Sequence, residues 1–142
     1  MYKGYSKGDL IIAVSMDGDS QAARYAMNQI GKPYTTNLSK RKGDEAFDCS
    51  GLVWRAYKEA GYSNIPQTTR DYASSSAVRQ ISESQLCDGD IVWSEGHVGI
   101  YLKNSKFSNH VISALNQGVK ALTFEGYKRE FGPGLIYYRV NK

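Results

Sequence analysis

A change of hydrophobic period near the middle of the chain limits its fold more than any other feature. Over 49–60 apolar side chains recur at Leu52, Val53, Ala56, Tyr57 and Ala60, the spacing that buries one face of a helix, and Gly61 ends it. Beyond residue 90 the pattern turns into short β-rich runs at 91–93, 98–102, 111–115, 119–124 and 135–140, separated by Gly, Asn and Ser. Upstream, 19–30 reads as a helix with Asp19 or Ser20 at its N-cap and Gly31 as its stop before Pro33. The stretch 35–46 reads as a long loop, and a short helix is expected around 69–75. Helices first and strands second imply an α+β domain, N-terminal helices packed on a C-terminal antiparallel meander, and exclude the alternating order of a parallel-sheet enzyme.

With 142 residues, 41% of them apolar and no linker-like stretch, a single domain over 1–142 is expected, with 1–18 as a possible short N-terminal extension. The charge of +4 suits anionic polymers such as nucleic acid, a membrane surface or acidic wall polymers. The basic residues are nevertheless spread along the chain, and the densest run, Lys40-Arg41-Lys42, reads as a solvated loop. Neither nucleic acid nor membrane insertion is expected, and the working unit is read as a monomer. Leu10-Ile11-Ile12-Ala13-Val14 is too short for a secretory signal or a membrane span. Two His and two Cys are too scattered for a zinc site, and no Gly-rich phosphate loop ends in Lys-Ser or Lys-Thr, so no metal or cofactor is expected. Cys49 and Cys87 are read as free thiols rather than a bridge.

Cys49 stands where a helix begins, beside unpaired backbone N–H groups and the positive end of the helix dipole, a place that favours a thiolate. His97 heads a strand whose alternation puts His97, Gly99 and Tyr101 on one face and Val98, Ile100 and Leu102 on the other. Taken alone, a cysteine is more often a small buried hydrophobe than a nucleophile, and a strand histidine is more often structural.

Context joins them. Asp48-Cys49-Ser50-Gly51-Leu52-Val53 followed by Tyr57 resembles the nucleophile motif of the NlpC/P60 cell-wall peptidases, and Gly89-Asp90-Ile91-Val92-Trp93 with His97-Val98-Gly99-Ile100-Tyr101 resembles their histidine block. Gly31-Lys32-Pro33-Tyr34 and Ile65-Pro66-Gln67-Thr68-Thr69 are similar to the segments that flank the nucleophile helix there. The resemblance implies a papain-like fold and a cysteine endopeptidase that hydrolyses peptidoglycan stem peptides at a D-glutamyl–diamino acid bond, without cofactor. It assigns Cys49 as nucleophile, His97 as general base and Tyr34 as a tyrosine lining the site. Asp48 and Ser50 match residues that shape the substrate site and, in some members, receive a free amino end.

Two departures qualify the match. Where the family carries a third polar residue that orients the histidine, this chain has Ser113. A hairpin folded about Ser105 would pair 97 with 113 and turn His110 to the opposite face. Asn116, His110 or a backbone carbonyl are the other candidates for that role. The second departure is the loop 35–46, longer and more basic than in many relatives, which would either border the substrate groove or form a surface excursion. Other readings of the same motifs are a related amidase or interpeptide-bridge peptidase of the CHAP type, and a non-catalytic wall-binding or phage structural module. The expected place of action is the bacterial cell wall, reached by lysis, as a phage lysin or tail-associated domain, or as part of a longer chain.

Overall fold

In the computed structural model, which describes residues 7–37, 39–41, 45–106 and 108–141, two helices cover one face of a six-stranded antiparallel sheet and a third covers the other. The elements are α1 (Gln21–Met27), α2 (Cys49–Glu59), β1 (Val78–Ile81), β2 (Ile91–Ser94), β3 (His97–Leu102), β4 (His110–Leu115), β5 (Gly118–Thr123), α3 (Phe124–Phe131) and β6 (Ile136–Val140). Ser20 starts α1 by accepting from the N–H of Ala23, and Asp48 starts α2 by accepting from that of Gly51 at 2.6 Å. Ala22, Ala23 and Ala26 are buried, so α1 lies close against α2.

The strand order is β1-β6-β2-β3-β4-β5. Strands β2 to β5 form the expected meander, but β6 returns to the far side of β2 and pairs with β1 as well. Alternation along the strands divides the core. Leu52, Val53 and Ala56 of α2 join Val98, Ile100, Ile112 and Ala114 on one face, while Phe124 and Tyr127 of α3 join Val111, Leu115 and Leu122 on the other.

Three expectations need correction. The first helix is shorter than 19–30, because the chain turns at 28–31 before Gly31, which takes a left-handed φ of 99°. The run at 119–124 ends as strand at Thr123, whose side chain accepts from the N–H of Gly126 and begins α3. In place of a helix over 69–75 there is one 3-10 turn, Thr69–Asp71. The segment 10–18, read as a possible extension, lies on the domain: Leu10 bridges Leu122, Ile11 N–H donates to Ala121 O, and Asp17 N–H donates to Lys103 O. Residues 1–6 of that extension are outside the described residues.

Candidate active site

The first turn of α2 packs against the start of β3. β2 and β3 are joined by Glu95-Gly96, and Gly96 adopts a left-handed φ of 83° that closes the hairpin and sets Ser94 opposite His97. The Gly96 carbonyl, next to His97 in the chain, is 3.9 Å from Cys49 Sγ, which donates to it. A parallel bridge between Tyr34 and Phe47, with Thr35 N–H donating to Phe47 O, brings Tyr34 to the same end of α2. Thus Tyr34, Asp48, Cys49, Ser50 and the backbone at the head of β3 meet in one region, although they come from three separate sequence blocks; the His97 ring itself turns to the α3 face of the sheet, and its Nε2 is not bonded to Cys49.

The thiol is held mainly as the neutral acid. Burial pushes the Cys49 pKa above its ordinary value, opposed by the Val98 N–H; the Asp48 charge adds to the rise, and the N–H groups of Ser50 and Cys49 oppose it. The helix start therefore acts in the expected direction, but burial outweighs it. Iodoacetamide should accordingly alkylate Cys49 in the substrate-free protein at a rate that climbs only above the free-thiol range near pH 8.5. A plateau of fast alkylation between pH 5 and 8 would contradict this assignment. Both cysteines are free. Cys87 lines a separate cleft of about 590 Å³ with Tyr57, Tyr62, Asp90 and Arg139, and Cys49 is not among its lining residues.

The His97 ring stacks on Phe131 of α3, centroids 4.0 Å apart and planes 5° from parallel, with Tyr127 at 5.8 Å. The residue as a whole is half-buried, but this packing desolvates the ring, and burial pushes its pKa down to about 3. His110, on the opposite face of the sheet, is fully buried, and burial lowers its pKa as well. The unfolded chain protonates a histidine near pH 6.5, whereas folded His97 resists until about pH 3, so unfolding takes up a proton in between. Stability from His97 is complete above about pH 6.5 and falls as pH drops toward 3, with a slope approaching about 1.4 kcal/mol per pH unit, and His110 adds in the same direction. Urea midpoints at pH 7.5, 6.5 and 5.5, above most carboxylate titration, should decline in that order, whereas equal midpoints would contradict it.

Ser113 is on the same sheet face as His97, as expected, but the register is offset. Ile100 pairs with Ile112, which sets Gly99 rather than His97 opposite Ser113. Ser113 Oγ and His97 Nε2 are both buried without a hydrogen-bond partner, so no direct bond joins them. The Tyr127 hydroxyl, from α3, is a third such atom on this face. His110 points away, and Asn116 sits exposed in the turn after β4.

Arg41 is the residue that sequence reasoning misplaced. It is the only buried Lys or Arg among the described residues, at 7% exposure. Its Nη1 donates to Asp48 Oδ1 at 3.2 Å, Asp48 Oδ2 at 3.3 Å, Ser50 Oγ at 3.2 Å and Gln67 O at 2.8 Å. The solvated-loop reading holds for Lys40, fails for Arg41, and Lys42 is outside the described residues.

The chain belongs to the NlpC/P60 family, whose profile matches residues 31–131. It is 32% identical over 122 residues to the murein DD-endopeptidase MepH of Escherichia coli, covering 78% of this chain and 44% of MepH. It is 32% identical over 115 residues to the bifunctional muramidase/DL-endopeptidase CwlT of Bacillus subtilis, covering 75% of this chain and 33% of CwlT. The chain thus spans less than half of either relative. Among solved structures, the P60 domain of the Mycobacterium avium subspecies paratuberculosis antigen MAP1204 superposes with a TM-score of 0.62 at 25% identity, over 86% of this chain and 96% of that domain. The peptidoglycan hydrolase RipB of Mycobacterium tuberculosis superposes at 0.64 over 86% of this chain and 64% of RipB, at 22% identity, a likeness of fold.

Proposed function

We propose that the protein is a cysteine endopeptidase that hydrolyses peptide bonds in bacterial peptidoglycan, with Cys49 as nucleophile and His97 as base. The observation that carries this reading is the Cys49 thiol at the head of α2, 3.9 Å from the carbonyl that precedes His97, in a chain of this family. Names of relatives support the reading: MepH is named a murein DD-endopeptidase, CwlT a bifunctional muramidase/DL-endopeptidase, and p60 of Listeria monocytogenes a probable endopeptidase.

In this mechanism the neutral imidazole takes the Cys49 proton as substrate binds, and sulfur attacks the scissile carbonyl carbon. Backbone N–H groups at the start of α2, with the Tyr34 hydroxyl, stabilise the oxyanion. Protonated His97 returns its proton to the leaving amine, leaving a thioester on Cys49. Water, deprotonated by His97, then releases the acyl group and restores the thiol. Phe131 and Tyr127 pack the ring of the base from the α3 side.

The bond we assign is that between D-glutamate and the diamino acid, on the motif resemblance. CwlT is named a DL-endopeptidase and MepH a DD-endopeptidase, so the relatives carry both bond types. The place of action is then the bacterial wall, as a lysin or tail-associated domain or as part of a larger wall enzyme. Purified protein should clear a peptidoglycan suspension, and equal clearing by Cys49→Ala would sink the assignment of the nucleophile.

A further inference from the structure

The loop over 35–46 is tied to the nucleophile's helix by a built contact. The backbone of Arg41 lies against the first turn of α2, and a Cβ on Gly51 would fall 2.1 Å from Arg41 O, so only glycine leaves room for it. Asp48 N–H donates back to that carbonyl at 3.3 Å. The Arg41 stretch of the loop and the helix start therefore form one unit, centred on the Arg41 guanidinium.

Burying a guanidinium is unfavourable unless its charge and donors are matched. Here one carboxylate supplies the charge, and Ser50 Oγ and Gln67 O supply further acceptors. The same bonds occupy Asp48. Its Oδ1 also takes the Gly51 N–H, and its Oδ2 takes Arg41, so the acceptors beside Cys49 are engaged by groups of the chain itself. An isolated carboxylate one residue before the nucleophile would draw a cationic substrate end to that point. With Arg41 in place, an incoming ammonium meets a tethered competitor and a like charge that water screens poorly.

We propose that Arg41 is a specificity-determining residue: as the resident cation of Asp48 and Ser50, it turns away substrate ends with a free ammonium group and reserves the site for stems whose amino end is acylated, as in polymeric wall. This inference rests on Cys49 acting as nucleophile on peptidoglycan stems. It assigns the unusual loop a function at the site, since the loop supplies the charge that closes the subsite.

The test compares kcat/KM for one stem peptide with its N-terminal amine free and for the same peptide with that amine acetylated. Wild type should prefer the acetylated peptide at least tenfold. Arg41→Gln should move the ratio at least tenfold toward the free amine, and adding Asp48→Asn should move it back. Both values are taken on one sample, so a lowered folded fraction cancels from the ratio. If Arg41→Gln does not fold, wild type alone decides, because a preference for the free amine overturns the inference. An unmoved ratio in folded Arg41→Gln overturns it too. Cleavage of neither peptide by folded wild type overturns the peptidase reading itself, and the inference with it.

Discussion

Replacing Cys49 with alanine should lower kcat/KM on defined muropeptides by about 10⁴-fold or more, because no other group in the site can form the covalent intermediate. The side chain is small and 9% exposed, so trading sulfur for hydrogen leaves little cavity and should shift stability by about 1 kcal/mol or less. Activity and melting temperature therefore separate: the first collapses while the second barely moves. Cys87→Ala should do neither, since that thiol is exposed and lines a different cleft. Loss of activity in Cys87→Ala with retention in Cys49→Ala would invert the assignment.

His97→Phe is the second large effect and the more discriminating one. Phenylalanine keeps a planar ring for the stack on Phe131, at 4.0 Å in the native protein, and removes the buried Nε2 that has no partner. Stability should hold or rise, and the acid decline below pH 6.5 should flatten by the share that His97 contributes. Activity should nonetheless fall about 10²- to 10⁴-fold, the usual contribution of a positioned general base. Parallel loss of folding and activity would instead mark His97 as a packing residue. Steady-state hydrolysis beside urea titrations of the same preparations distinguishes the two.

What the sequence disclosed and what it hid have different physical causes. The α2 helix was legible because Leu52, Val53 and Ala56 must share one buried face, and β3 because its alternation is set by the pleat. The parity that puts Ser113 with His97 was legible for the same reason. The register was not, because the loop after β3 shifts the pairing by two residues while leaving every side chain on its own face. The α3 helix escaped notice although Phe124, Tyr127 and Phe131 stand at helical spacing behind Thr123, since the β-rich run before them was carried one residue too far. Arg41 gave no signal at all: a basic residue in a basic loop looks solvated until the fold supplies Asp48, Ser50 and the Gln67 carbonyl around it. The thiol's resting state was also hidden, because local helix geometry predicts a lowered pKa and only tertiary burial reverses it.

The central claim is that this chain breaks a peptide bond within the peptidoglycan stem through Cys49. Mass spectrometry of defined muropeptides after digestion tests it most directly, with wild type and Cys49→Ala run side by side. Wild type should give truncated stems ending at D-glutamate, and the variant should leave the muropeptides unchanged. Intact stems released from the sugar, or the same truncated products from both proteins, would contradict it.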